Sequence, residues 1–333
     1  MDGRENILRA IRFQSPERIP VAFWRWGPND MEALDFAVLT ERVDATRERD
    51  EFGCVWEKPG GRTIGFVVEH PLADPRRLDS FRWPDPDDPR RFHGLRAQAE
   101  RIREKGRAVT CNYLAMLWER LWFLLGLDSA FLRIYEQPDW IGEVLDRLAG
   151  YQSRLLRNAQ EAAGGLIDVW TSTDDWGLQT GPFLPLEIFR ALFIPRYERV
   201  FSACHAAGMA AYLHSDGKMA AYLDGLADAG LDVLEVEDVR VKGIDELAML
   251  RGRLCFQCTL DAQSTTPSGN RAAIEAEAEE IVRSLATPRG GLIASIYWDP
   301  GSCGVSDAVQ SFGVASYLRA CEAFTEESRE RAS

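Results

Sequence analysis

The chain has 333 residues, of which 46% are apolar, so it can bury a large core and fits either two ordinary domains or one α/β barrel with additions. Its 52 acidic residues outnumber its 39 basic ones, and the formal net charge of −13 argues against nucleic acid or an anionic membrane as a main partner. No basic segment followed by an apolar one opens the chain, and no stretch approaches about 18 uninterrupted apolar residues. We expect a soluble, cytoplasmic protein with a small-molecule substrate that is neutral, cationic or delivered by another protein.

The N-terminal third is irregular. Apolar spacing predicts a helix over residues 4–14 and a first strand over 18–24. Within residues 30–92 we expect an excursion that contains a hairpin, formed by residues 50–56, a turn at Gly60-Gly61 and an alternating stretch at 63–69.

A regular alternation begins at residue 94. Helices are predicted over 94–105, within 115–163, and over 186–207, 218–229, 244–251, 271–286 and 306–325. Strands are predicted over 108–113, 166–172, 210–215, 232–237, 254–260 and 291–297. Such alternation is typical of parallel βαβ units, and with 18–24 it gives seven strands, one short of a closed (β/α)8 TIM barrel.

We therefore predict an α/β fold in which residues 1–333 form a single barrel domain with 30–92 as its insertion. The eighth strand should lie within that insertion, and Pro195 should kink or divide the 186–207 helix. An open, doubly wound sheet is the alternative, although the Gly-x-Gly-x-x-Gly phosphate loop that often accompanies it is absent from the sequence.

Polar residues collect where the predicted strands end, which is where barrel enzymes carry their chemistry. His214 and Asp216 close the 210–215 strand with the same side-chain parity, and Cys303 follows the last strand. Imidazole, carboxylate and thiolate together are an acceptable ligand set for Zn²⁺. The alternative is that His214 and Asp216 act as general acid and base, or bind substrate carboxylates, with Cys303 uninvolved.

Further acidic residues follow two other strands. Glu235 and Glu237 share parity, so both should face the barrel interior or mouth, where their proximity should raise the pKa of at least one of them unless Arg25 or a cation neutralises the pair. Asp174, Asp175 and Trp176 follow the 166–172 strand. The structural alternatives are an internal ion-pair network for the glutamates and a helix N-cap or turn for the aspartates.

Several short motifs occur in an order that resembles the uroporphyrinogen decarboxylase superfamily, in particular its branch of corrinoid-dependent methyltransferases. The first half of the chain contributes Arg4-Glu5-Asn6-Ile7-Leu8-Arg9-Ala10 and Pro16-Glu17-Arg18-Ile19-Pro20-Val21. The second half contributes Asp174-Asp175-Trp176-Gly177, Pro195-Arg196-Tyr197, Ala207-Gly208-Met209, His214-Ser215-Asp216-Gly217, Leu260-Asp261-Ala262-Gln263 and Gly290-Gly291-Leu292-Ile293.

The resemblance implies a (β/α)8 barrel and, in the methyltransferase branch, zinc held by a His-x-Cys pair and a later cysteine. His214 matches the first ligand and Cys303 the last, whereas Asp216 stands where the family has its middle cysteine. The implied reaction moves a methyl group between a small molecule and a corrinoid or tetrahydrofolate carrier. Any corrinoid would arrive on a separate protein, because the sequence has no Asp-x-His-x-x-Gly motif, and a homodimer is compatible with the resemblance.

Two other functions remain open. A metal-free decarboxylase would need the family's arginine-rich loop, of which only Arg25 is left here, and a non-catalytic corrinoid- or metabolite-binding barrel is also compatible with the sequence. For the enzyme we assign catalytic roles to Asp174, Glu235 and Glu237, substrate contacts to Arg25, Asp175, Trp176, Tyr212 and Trp298, and metal ligation to His214, Asp216 and Cys303.

Overall fold

A computed structural model describes residues 1–36, 39–58 and 65–331. The strands in these ranges are β1 (Val21–Ala22), β2 (Met31–Leu34), β3 (Thr40–Arg42), β4 (Arg47–Asp50), β5 (Val55–Glu57), β6 (Phe66–Glu69), β7 (Ala108–Tyr113), β8 (Val169–Thr173), β9 (Ala210–His214), β10 (Val233–Val236), β11 (Cys255–Cys258) and β12 (Leu292–Ser295).

From β7 onward, each barrel strand is followed by one or more α-helices. The helices are α1 (Gly3–Ile11), α2 (Leu95–Glu104), α3 (Trp118–Leu125), α4 (Leu127–Glu136), α5 (Pro138–Ala162), α6 (Leu186–Leu192), α7 (Ile194–Ala206), α8 (Leu223–Asp228), α9 (Val239–Lys242), α10 (Ile244–Ala248), α11 (Arg271–Leu285) and α12 (Asp307–Glu330). None of the helices in the described ranges combines the length and the apolar character that crossing a membrane requires.

Eight parallel strands form the predicted (β/α)8 TIM barrel. Their order is β1-β12-β11-β10-β9-β8-β7-β2, and all of the pairs within it are parallel. The outermost strands, β1 and β2, meet at a seam where the Asp30 amide donates to the Val21 carbonyl (2.8 Å) and the Asp30 carboxylate accepts from the Val21 amide (2.8 Å). The missing eighth strand is β2, which lies within residues 30–92 as predicted.

The remainder of that insertion forms a second, antiparallel sheet in the order β3-β4-β5-β6. The predicted hairpin corresponds to parts of β4, β5 and β6, while its Gly60-Gly61 turn and residues 63–64 lie outside the described residues. A buried ion pair, Asp50 Oδ2 to Arg120 Nη1 at 2.6 Å, ties this sheet to α3. Removing one partner of such a pair costs about 3 to 5 kcal/mol, because the other charge is left buried without compensation.

The core has two layers, as alternate side chains of each barrel strand face opposite ways. Inside the barrel, Ile7 and Ile11 of α1 pack with residues such as Val233 and Cys255. Outside it, Cys258 belongs to the larger apolar layer between strands and helices. The two cysteines of the C-x-x-C sequence therefore lie on opposite faces of β11.

Pro195 divides the helix predicted over 186–207. The chain forms α6 up to Leu192 and begins α7 at Ile194, with Pro195 in the first turn of the second helix. Proline is tolerated there because the first amides of a helix have no intrahelical acceptor.

Candidate active site

A cleft of about 1160 Å³ opens at the carboxyl ends of the barrel strands. Its lining includes the aromatic side chains Trp24, Tyr113, Tyr212, Tyr297 and Trp298 and the polar side chains His214, Asp216, Glu235, Glu237, Gln257 and Asp299. No lysine or arginine is among the described residues that line it. The cleft thus combines aromatic surface with several acidic groups.

The register of three strands builds the centre of this cleft. His214 on β9 pairs with Glu235 on β10, which in turn pairs with Gln257 on β11, so the three side chains form a row across the barrel mouth. His214 Nδ1 lies 3.2 Å from Glu235 Oε2, and Gln257 Nε2 donates to Glu235 Oε1 at 3.0 Å. The row fixes the orientation of the imidazole.

The other imidazole nitrogen faces two aspartates. His214 Nε2 lies 3.6 Å from Asp175 Oδ1 and 3.8 Å from Asp216 Oδ1, both longer than a hydrogen bond. Asp175 Oδ1 accepts from the Asp216 amide (2.8 Å), whereas Asp216 Oδ1 is shielded from solvent and has no hydrogen-bond partner among the described residues. A buried oxygen without a partner is costly, so this position favours a bound positive group.

Close contact between two loops holds these aspartates beside His214. The Gly177 amide donates to the Asp216 carbonyl (3.1 Å), and the Gly217 amide donates to Asp238 Oδ2 (2.7 Å). A Cβ at Gly217, where φ is +79°, would lie 1.9 Å from the Gly177 carbonyl oxygen. Glycine at 217 is therefore required for the loops after β8 and β9 to meet.

Crowding of the carboxylates shifts the titration of the whole group. Burial and the charge of Glu235 raise the pKa of Glu237 to about 8. Burial also raises the pKa of Asp216, with His214 opposing the shift and Asp175 adding to it. Although burial alone would lower the pKa of His214, its hydrogen bond to Glu235 and the nearby carboxylate charges raise that pKa well above the usual value. In the absence of another cation, bound protons relieve the repulsion.

One further acidic residue near the cleft, Glu119, is not predicted from the sequence. It accepts from Thr173 Oγ1 at 2.5 Å, and burial together with the charges of Asp175 and Asp174 raises its pKa to about 8. A glutamate in the first turn of α3 is what a helix N-terminus favours for electrostatic reasons alone, so the sequence carried no signal for its position near the site.

Several predicted site residues do line the cleft. Tyr212 and Trp298 do so, and Asp216, Glu235 and Glu237 surround His214. Burial and the adjacent Glu235 raise the pKa of Tyr212 well above its usual value, so its hydroxyl stays protonated. Asp175, predicted as a substrate contact, lies instead beside His214 Nε2.

Asp174 and Trp176 do not reach the cleft. Asp174 is fully buried and accepts from the amides of Leu117, Trp118 and Glu119 and from the Tyr197 hydroxyl, so it anchors the start of α3. Trp176 is also fully buried and donates to the Tyr197 hydroxyl. These positions correct the catalytic role predicted for Asp174 and the substrate contact predicted for Trp176, because both side chains belong to the core.

Arg25 and Cys303 also lie apart from the central group. The guanidinium of Arg25 is exposed and stacks over the Trp26 ring at 4.8 Å, and Arg25 is not among the cleft-lining residues. Cys303 ends a short 3-10 turn, Pro300–Cys303, in which Ser302 lines the cleft. Its Sγ is not within 4.8 Å of ligand atoms of both His214 and Asp216, so the predicted ligand set is not brought together.

Two groups among the described residues can hold a metal ion, and His214 belongs to both. One is Asp175, His214 and Asp216, and the other is His214, Glu235 and Glu237. In each group the ligand atoms lie within 4.8 Å of one another. The donors are imidazole nitrogen and carboxylate oxygen, a set that suits divalent cations such as Zn²⁺ and Mn²⁺.

Solved structures resemble the chain only distantly. Xylanase 10B from Thermotoga maritima shares 12% identity and a TM-score of 0.42 over 78% of this chain and 85% of its own. The 3-keto-D-glucoside 4-epimerase YcjR from E. coli shares 15% identity and a TM-score of 0.41 over 79% and 98%. Neither similarity bears on function.

Sequence comparison is more informative. None of the curated proteins compared with the chain matched it. The family model described as uroporphyrinogen decarboxylase (URO-D) matches residues 27–299, which is most of the chain and includes nearly all of the barrel strands. The chain therefore belongs to the uroporphyrinogen decarboxylase family.

Proposed function

We propose that the chain is a metal-dependent methyltransferase of this family, which moves a methyl group between a small molecule and a corrinoid or tetrahydrofolate carrier. The observation that carries the proposal is the buried Asp216 Oδ1 beside Asp175 and His214, for which the described part of the chain offers no hydrogen-bond partner and no cleft-lining lysine or arginine. A divalent cation would satisfy that oxygen and offset the carboxylate charge.

Asp175, His214 and Asp216 are the proposed ligands. In metal sites the second nitrogen of a ligating histidine usually bonds a carboxylate that fixes the ring, and Glu235 has this position at Nδ1 (3.2 Å). Gln257 holds Glu235 in turn. The set contains no thiolate, so the metal would be held by harder ligands than the family's cysteines.

A bound divalent cation supplies Lewis-acid chemistry, polarising a methyl donor or an acceptor group. The chain itself supplies the surroundings. Tyr212 and Gln257 are buried neighbours of Glu235 and limit the movement of its side chain. Trp24 and Trp298 line the cleft with aromatic surface. These side chains orient the substrate and limit water around the transferred group.

A metal-free carboxy-lyase is the second candidate. It is favoured by Glu237, whose pKa of about 8 leaves a protonated acid in the cleft at neutral pH, as protonation of a carbanion requires. The charge of the cleft argues against it for a tetrapyrrole polycarboxylate, because Arg25 lies outside the lining and no other arginine or lysine of the described chain takes its place.

The ligand assignment can be tested by metal analysis. We expect protein purified without chelator to contain about one divalent transition-metal ion per chain, held by three protein ligands. His214→Ala and Asp216→Asn should lose it, and Cys303→Ser should retain it. A wild-type protein without metal, or loss of metal in Cys303→Ser alone, would contradict the assignment.

Metal affinity should depend on pH. The pKa of Glu237 is raised to about 8 and that of His214 is also raised, so these groups hold protons near neutral pH that a cation must displace. Zn²⁺ affinity measured by calorimetry should therefore increase as pH rises from 6 toward about 8, with proton release, and then level off. Glu237→Gln should release fewer protons than the wild type; an affinity independent of pH would count against the site.

The reaction itself is tested with reduced cobalamin as acceptor. The metal-loaded enzyme should transfer a methyl group from a small methylated donor to the cobalamin, whose visible absorbance then changes. Glu235→Gln should lower metal affinity or activity roughly 10- to 100-fold, as does loss of the hydrogen-bond partner of a metal-bound histidine. Release of CO₂ from a porphyrinogen, abolished by Arg25→Ala, would instead establish the lyase.

A further inference from the structure

The cleft has an aromatic wall and an acidic wall. We define the aromatic wall as Trp24, which follows β1, and Tyr297 and Trp298, which follow β12. The two strands pair directly, so these residues are neighbours at the barrel mouth. The rings of Tyr297 and Trp298 have centroids 6.2 Å apart at 44°, and Trp298 is 55% exposed.

The acidic wall lies on strands β9 and β10 of the same cleft. It consists of His214 and Asp216 at the end of β9 and Glu235 and Glu237 at β10. Three strands separate β1 from β9 in either direction around the sheet, so Trp24 lies opposite His214 and Asp216, whereas only β11 separates β12 from β10. A ligand in the cleft is therefore enclosed between aromatic faces and carboxylates.

The carboxylates around His214 carry more negative charge than one metal ion offsets. Four carboxylates adjoin His214, namely Asp175, Asp216, Glu235 and Glu237, and a divalent cation balances two of them. Two lysines of the described chain are paired with other carboxylates: Lys242, whose charge also acts on Asp216 and Glu237, is buried against Asp238, and Lys218 Nζ lies 4.0 Å from Glu246. Negative charge is left over for a substrate to balance.

We propose that the substrate is a small quaternary ammonium compound without a carboxylate, bound with its methyl groups against the aromatic wall and its charge facing the acidic wall. Aromatic faces attract such cations through the ring quadrupole, and quaternary ammonium ligands are recognised in this way because they have no N–H to donate. A carboxylate on the ligand would meet the acidic wall and be repelled.

This inference rests on the proposed methyl transfer, for which the ammonium compound is the donor. Its nitrogen has no lone pair, so a metal would bind another polar group of the donor, such as a hydroxyl, and not that nitrogen. The bond between nitrogen and one methyl carbon breaks, and its electron pair remains on nitrogen. The methyl group passes to the acceptor nucleophile, a reduced corrinoid, and a neutral tertiary amine leaves. Loss of the positive charge weakens the hold of both walls on the product, which favours its release.

Choline and its uncharged carbon analogue dimethylbutanol test the substrate class, because they share shape and differ in charge. By calorimetry with the metal-loaded protein, choline should bind roughly tenfold or more tightly than dimethylbutanol, as expected for a desolvated cation–π contact. Glycine betaine, which adds a carboxylate, should bind more weakly than choline. Equal affinity for choline and dimethylbutanol would overturn the inference.

Substitutions in the aromatic wall test whether choline binds there. Trp298→Leu and Trp24→Leu should weaken choline binding by a larger factor than dimethylbutanol binding, because only choline loses a cation–π contact. Tyr135→Leu is the matched control, since Tyr135 is an exposed aromatic residue on α4 outside the cleft. Choline affinity that is unaffected by both tryptophan substitutions would refute the aromatic wall as its site.

The two proposals fail in distinguishable ways. Selective choline binding without methyl transfer to reduced cobalamin from any donor would retain the ammonium site and refute the proposed function. Methyl transfer from a neutral donor such as methanol, in a protein that does not bind choline, would overturn the ammonium inference and leave the methyltransferase standing.

Discussion

Repulsion between the carboxylates around His214 is the constraint on which the rest of the site depends. Asp175, Asp216, Glu235 and Glu237 all have an oxygen close to one imidazole, and the cleft lining in the described chain provides no lysine or arginine. Like charges held this close in partly buried surroundings must be relieved by protons or by a cation. The raised pKa values of Glu237, Asp216 and His214 show that protons relieve the repulsion when no cation is bound. We propose that a metal ion and a cationic substrate relieve it in the working enzyme.

The barrel holds these charges together by backbone geometry. Register between β9, β10 and β11 sets the row of His214, Glu235 and Gln257, and parallel pairing makes all three face the mouth. The close approach of Gly177 and Gly217 then fixes the loops that carry the aspartates. The strand register and the loop contact thus keep the carboxylates close together despite their repulsion, as expected when a site is organised in advance for a ligand.

Strand parity explains what the sequence could reveal. Period-2 alternation predicted correctly that His214 and Asp216 lie together and that Glu235 and Glu237 face the cleft, because these residues are in or directly after strands. The helix and strand alternation likewise predicted the barrel. The eighth strand, Met31–Leu34, could be placed only by elimination, since four residues with mixed burial carry no clear period.

Errors arose where the chain leaves a strand. Asp174 and Trp176 adjoin Asp175 in sequence, yet they turn into the core, and only the contacts with α3 and Tyr197 decide this. Cys303 lies eight residues beyond the end of β12, so its position depends on the path of a loop that no periodicity describes. Glu119 lies in the first turn of α3 and contacts the cleft-lining residue Thr173, and no sequence motif links it to the other site residues.

The central claim is that a cation is held at His214 by oxygen ligands, and anomalous diffraction from crystals grown with Zn²⁺ addresses it most directly. Data collected on both sides of the zinc absorption edge should give one strong peak at Nε2 of His214, bounded by Asp175 and Asp216. A peak at the sulfur of Cys303, or no peak in the cleft at saturating zinc, would contradict the account.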